Sequence, residues 1–477
     1  MSERGSILGA MASSAPGAQI TSQQRVVLVV AILASFVAFL DGSIVNVALP
    51  AISRELGGGL PVQQWVVDAY LLMLGALILL AGSLSDAFGR VRILVAGLVW
   101  FGITSLACAI APTAELLIVA RALQGVSAAL LVPSSLAIII STFSGVAQAR
   151  AIGTWTAWTG TATIVGPLLG GLLVDTVSWR LVFAINVISI AITLWLLTRV
   201  ERPPQAETRP RVDWVGAVLG AVGLGGPVFA LIEQARLGWA SPMIWLPLAV
   251  GIVAFGVFLW WESRTRDPMM PLDLFRVRNF SAGNAATLFI YAALSFGFFI
   301  IAIYLQQVAG WSAFLAGMAT LPPTFVMLLL SSRIGELAGN MGPRLFMTVG
   351  PLVAGGGFLL MLTVGADVHY WWQLLPGLLV FGLGLSITVA PLTSAILGAI
   401  DPTKAGIGSA INNAVARVAG LIAIACASLI VGETLDRDGF YRAMIATAVM
   451  LIVGGVISWF GIRNPPKDDP VPRPDEA

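Results

Sequence analysis

Residues 26–49 read VVLVVAILASFVAFLDGSIVNVAL, and Asp41 is their one charged side chain. A helix of that length rises about 36 Å, enough to cross a hydrocarbon layer about 30 Å thick. An ionised group placed inside such a segment is costly, so Asp41 is a functional candidate by default.

The remainder of the chain repeats this pattern. Of 477 residues, 58% are apolar and 10% are charged. A soluble domain carries about a quarter of charged residues, so the bilayer must be the main solvent here. Apolar runs between charged or Pro/Gly-rich breaks predict an all-α integral membrane fold of fourteen spans. They lie at 26–49, 62–83, 92–111, 115–140, 151–174, 181–199, 212–232, 242–262, 281–306, 313–332, 344–364, 372–397, 406–430 and 441–462. With the N-terminus inside, nineteen of the 26 basic residues fall in cytoplasmic segments and five outside. This bias obeys the positive-inside rule and supports the span count. Both termini are then cytoplasmic, as tails over 1–25 (disordered) and 463–477. Cys108 and Cys426 lie in apolar stretches and read as small buried hydrophobes. Near-absence of lysine points to a bacterial source, and hence to the inner membrane as the location.

The loop GSLSDAFGRVRIL (82–94) has a degenerate counterpart, GELAGNMGPRLFM (335–347). Internal duplication is a transporter trait, with the substrate site at the repeat interface. The expected division is a six-helix bundle over 26–200, a linker with two extra helices over 201–280, and a second six-helix bundle over 281–462. A phosphate-binding loop needs lysine before Ser or Thr. Lys404 precedes Ala405 and Lys467 precedes Asp468, so the chain carries none. No cofactor, metal or nucleic-acid partner is expected, and no enzymatic activity. The expected partners are the bilayer, a small-molecule substrate and protons, with an ion gradient as the driver and a monomer as the working unit.

Ionisable residues inside spans locate the chemistry. Asp41 lies about 22 Å along span 1, while Asp68 and Arg121 lie about 9 Å from the outer ends of spans 2 and 4. All three thus sit at similar depth. If they face one cavity, Arg121 holds one carboxylate ionised, and desolvation with like-charge repulsion favours protonation of the other. Static ion pairing is the alternative for each. Arg417, at the middle of span 13, is open to a functional or a structural reading. In span 5, Ala162, Gly166 and Gly170 form a small-residue ridge suited to close helix approach, and Pro167 should bend the helix. Trp155 and Trp158, a turn apart, offer either core packing or a surface for aromatic substrates.

Four motifs, each at its own helix, resemble the major facilitator superfamily, in particular its fourteen-helix drug:proton antiporters. LDGSIVNVALP (Leu40 to Pro50) is similar to the helix 1 motif, GSLSDAFGRVR to the loop 2–3 motif, and RALQG (Arg121 to Gly125) to the helix 4 motif. Gly153, Gly166, Pro167, Gly170 and Gly171 match the helix 5 antiporter motif. The resemblance implies two six-helix bundles plus two extra central helices. It implies proton coupling at Asp41 and Arg121, with Asn46 on the amide position of the helix 1 motif as a substrate-site residue. It implies a cytoplasmic gate formed by Gly82, Asp86, Gly89 and Arg90, the aspartate facing the N-terminal end of span 13. Gly166, Pro167, Gly170 and Gly171 would serve conformational change. Ser43 stands where Thr is usual, Ala162 replaces a glycine, and Ala87 and Val91 replace basic residues. Some relatives that export organic cations carry an acidic residue at the position of Asp68, so lipophilic cations are the expected cargo. The resulting expectation is a proton-coupled multidrug exporter. A dedicated exporter of one antibiotic or metabolite, neutral or anionic, fits the sequence as well; a proton symporter for uptake fits less well, given the helix 5 motif.

Overall fold

The computed structural model describes residues 21–200 and 212–464, apart from 366, 402, 403 and 433. Among these residues there are helices and loops but no strands. Thirteen helices are long and apolar enough to cross a membrane. They are α1 (Ser22–Leu56), α2 (Gly59–Phe88), α3 (Arg90–Ala109), α4 (Ala114–Thr142), α5 (Arg150–Thr176), α7 (Trp214–Leu237), α8 (Pro242–Arg264), α9 (Arg278–Gln307), α10 (Ala313–Met341), α11 (Pro343–Thr363), α12 (Tyr370–Leu397), α13 (Ala405–Ala425) and α14 (Arg437–Gly461). The shorter apolar segment Leu181–Leu197 supplies α6. Each predicted span therefore has its helix.

Residues 1–20 and 465–477, most of the two predicted tails, lie outside the described residues, as do 201–211 of the linker. The N-terminal tail ends sooner than expected. Thr21 and Gln24 form a reciprocal capping box that starts α1 at Ser22, before the apolar run begins. At the other end Arg463 and Asn464 are pinned, bonding to Asn279 and to the backbone of Arg344.

Small residues set the helix seams. In the first half, a Cβ on Gly97 would meet Leu131 of α4 at 2.9 Å, and one on Gly125 would meet the Tyr70 carbonyl of α2 at 2.4 Å. In the second half, Gly357 and Gly384 of α11 and α12 approach the facing backbone equally closely. Gly89 and Gly342 hold the equivalent turns of the two repeat loops at φ 98° and 86°, conformations that side chains resist. Helices α7 and α8 pack on each other through Gly226, Pro227 and Gly251. Helix α7 then leans on α2, where Trp65 donates to Glu233 at 2.9 Å.

The two halves meet from one end to about mid-depth, where Gly75 of α2 lies against Arg417 and Val418 of α13. Gly171 of α5 abuts Phe314 of α10, and Gly317 of α10 abuts Pro167 of α5. Asp175 accepts the backbone amides of Ala313 and Phe314 at 3.0 and 2.8 Å, capping α10 from across the seam. Gln64 donates to the carbonyls of Ile424 and Ala425, and Gln306 to that of Val47. Toward the opposite end the halves part around a cavity of about 1150 Å3.

Candidate functional site

The cavity runs between the halves, from a mouth at Asp86, Arg90, Asp213 and Asp267 to a floor near Val47, Pro167 and Ile424. Its wall draws on α1, α2, α4 and α5 on one side and on α9, α10, α12 and α13 on the other. Phe39, Tyr70, Trp155, Tyr291 and Phe298 supply aromatic surface. Asn46, Ser295 and Asn413 supply polar groups.

Behind the wall lies a buried charge network. Arg121 donates to Asp41 at 2.5 Å, to Gln124 at 2.7 Å and to the Val66 carbonyl at 2.9 Å. Gln124 donates onward to Asp41 at 3.0 Å and Ser105 at 2.8 Å. Asn186 donates to Asp41 at 2.9 Å. Asp41 is wholly buried and Arg121 is 1% exposed. The guanidinium stacks over the Tyr70 ring at 4.3 Å, a cation–π contact that helps offset lost hydration. Arg121 and Tyr70 reach the cavity wall, whereas Asp41 sits one layer deeper. All its partners are donors.

An ion pair sealed beside an aromatic-lined central cavity, in a two-bundle helical fold, identifies the architecture. The profile of the Major Facilitator Superfamily matches residues 31–424. The chain belongs to the Major Facilitator Superfamily. It is 31% identical over 460 residues to the Methylenomycin A resistance protein of Streptomyces coelicolor, covering 96% of each chain. It is 34% identical to Multidrug resistance protein Stp of Mycobacterium tuberculosis, covering 84% of this chain and 75% of that one. Among solved structures, a D-xylose–proton symporter superposes with a TM-score of 0.66 at 14% identity, covering 93% of this chain and 99% of that one, a likeness of fold.

Within this superfamily fold, the expected site residues separate. Asp41 and Arg121 come together, while Asn46 and Trp155 line the cavity. Trp155 also donates to Ser35 at 3.1 Å, which fixes its ring. Trp158, a turn along, is 57% exposed and off the cavity wall. Asp68 does not join Asp41 and Arg121. It is fully buried, makes no hydrogen bond among the described residues, and lies off the cavity wall, one turn along α2 from Gln64 in the closed seam. Equal depth placed the three charges in one layer, but helical phase points Asp68 toward α13 and Asp41 into the first bundle.

The gate residues Gly82, Asp86 and Arg90 line the open mouth, where Arg90 pairs with Asp86 at 3.2 Å and donates to the Ala137 carbonyl of α4. Among the described residues Asp86 is bonded to Arg90 and not to α13, the partner that the motif implied. In α5 the helix is interrupted at Thr161, about one and a half turns before Pro167. The motif has two faces. Gly166 and Gly170 admit Ser43 and Ile44 of α1, whereas Pro167 and Gly171 meet α10 across the seam. Arg417 lines the cavity at mid-depth, bonded to Asn413 at 3.3 Å and 5.5 Å from the Phe39 ring centroid. Gln124, Asn186, Ser105 and Tyr70 were missed from sequence. Gln124 stood inside the quoted RALQG motif. Asn186 carried the signal of a lone amide within an apolar run.

Proposed function

We propose that this protein is a proton-coupled antiporter that expels small lipophilic drugs from the cytoplasm by alternating access. The observation that carries the proposal is the sealed Asp41–Arg121 pair next to a central cavity closed at one end. The resistance functions named for its relatives, to methylenomycin A and to multiple drugs, support export as the direction. The charge bias of the loops supports a bacterial inner-membrane placement with both termini cytoplasmic, so the open mouth faces inward and the proton gradient supplies the energy. A single chain contains the whole cavity, which fits a monomer, and the two predicted six-helix bundles move as its halves about the α7–α8 linker.

Coupling follows from hydrogen-bond geometry. Arg121, Gln124 and Asn186 all donate to Asp41, so an acid proton has no acceptor in this arrangement. Proton uptake therefore requires rearrangement. Asn186 Oδ1 is buried without a partner, and rotation of its amide would present that oxygen to a protonated Asp41. A proton on Asp41 also releases Arg121, whose other face borders the cavity beside Tyr70. Protonation and cavity state thus bias one another, as any coupled transition requires. The helix 5 motif fits this scheme, since Pro167 and Gly171 let α5 close on α10 on the far side and part again.

Substrate-dependent proton release from everted vesicles tests the proposal. Drug addition should release protons from vesicles bearing the wild-type chain and not from those bearing Asp41→Asn. Undiminished release by that variant would remove Asp41 from the coupling. A dedicated exporter of one compound would show the same coupling with a narrow panel of active drugs.

A further inference from the structure

We propose that the cavity binds the anionic group of its cargo at Arg417, so that the preferred substrates are aromatic or lipophilic acids. This rests on the efflux reading and names the substrate class of the same cavity. The cation expectation depended on Asp68, and Asp68 is not on the cavity wall.

The charge inventory of the wall carries the argument. The charged side chains lining it are Asp86, Arg90, Asp213, Asp267, Arg121 and Arg417. The three carboxylates lie around the mouth, Asp86 and Asp213 at helix ends and Asp267 in the loop after α8. Asp86 is paired with Arg90, and Asp213 caps α7 while accepting from Trp261 at 3.0 Å. Below the mouth only the two arginines remain. Arg121 is already neutralised by Asp41. Arg417 has no carboxylate partner among the described residues; its guanidinium meets only the Asn413 amide oxygen and the Phe39 ring. It packs beside Gly75 of α2, about 16 Å from Asp86 along that helix. None of the mouth carboxylates pairs with Arg417 among the described residues, so they do not neutralise it directly.

The surroundings suit an aromatic acid. Guanidinium presents a planar fork of donors matched to carboxylate, and four of its five N–H donors have no partner among the described residues. The Tyr291 hydroxyl lines the same region and makes no hydrogen bond among the described residues, leaving a donor for a second oxygen. Phe39, Phe298 and Trp155 offer ring faces for the apolar body. A lipophilic cation would meet a like charge here and find no carboxylate at this depth.

The test uses the purified full chain in detergent, with Trp fluorescence reading the affinity of benzoate, 2-naphthoate and 9-anthroate, each beside its primary amide and its aminomethyl analogue. The acids should bind about ten-fold tighter than their amides, as a charge-assisted hydrogen bond implies, and the amines weakest. Arg417→Gln should erase the acid preference and Arg417→Lys should keep part of it. Asn413→Asp leaves the arginine in place but sets a carboxylate beside it, and should also erase the preference; this variant serves if Arg417→Gln fails to fold. Equal binding of acids and amides, tighter binding of amines, or an acid preference that survives both variants overturns the proposal. Failure of proton release with acids that do bind in this manner would instead remove the efflux reading and leave the anion site standing.

Discussion

The two halves of the chain fill their interiors with different chemistry. In the first, the largest fully buried side chain is Arg121, and the helices around it are joined by the hydrogen bonds of Asp41, Gln124, Ser105 and Asn186. In the second, the equivalent space holds rings. Phe358 and Phe381 meet edge to face at 5.0 Å, Phe298 packs on Phe381 at 5.7 Å, and Tyr304 stacks on Phe440 at 4.2 Å. Its buried polar groups, such as Asn284 and Thr287, are neutral. Packed rings resist deformation and have one good arrangement. A buried charge network has two, since adding a proton changes which hydrogen bonds can form. Under the proposed coupling, the proton switch belongs to the first half, and the second half contributes Arg417 to the cavity.

The largest expected effect is in the charged half. Asp41→Ala leaves Arg121 buried without its partner, and should cost about 3–5 kcal/mol of stability along with all coupled transport. The double variant Asp41→Asn/Arg121→Gln should regain most of that stability but none of the coupling, as read by thermal unfolding in detergent beside proton release. Recovery of both would dissolve the distinction between halves. Next in size is Phe381→Ala in the aromatic half. A cavity there should cost about 3 kcal/mol while leaving the number of protons per drug unchanged. An altered ratio would show that the second half takes part in coupling.

Gly171→Val probes the seam between the halves. Its Cβ would lie 2.5 Å from the Phe314 Cα, so the closed end should part and transport should fall about ten-fold as the population shifts. Thiol labelling of a cysteine placed at Phe314 should rise in the same variant. Asp68→Leu should be neutral or stabilise the fold by about 1–3 kcal/mol, because a buried, unbonded carboxylate is replaced by an apolar group. A clear loss of stability would reveal a partner for Asp68 in the other conformation. Smallest of all, Arg90→Gln at the exposed mouth pair should change stability by no more than about 1 kcal/mol.

Much of this was legible from residue order. A helix spanning a bilayer must be long and apolar, so the fourteen segments announce themselves without reference to neighbours. Intramembrane charge is so costly that Asp41, Asp68, Arg121 and Arg417 could be picked out one at a time. What each of them faces could not. Depth along a helix follows from counting residues, but the direction of a side chain depends on rotation about the helix axis, fixed by packing against partners distant in sequence. That is why Asp68, at the same depth as Arg121, lies in the closed seam instead of beside it, and why Trp155 lines the cavity while Trp158 faces outward. Gln124 and Asn186 were ordinary polar residues until the fold brought both to Asp41. Residue order alone dictates the helices, the cost of their charges and a proton-coupling candidate. Which of those charges are already paired, and that Arg417 faces the cavity without a carboxylate partner among the described residues, follows from how the helices rotate and pack.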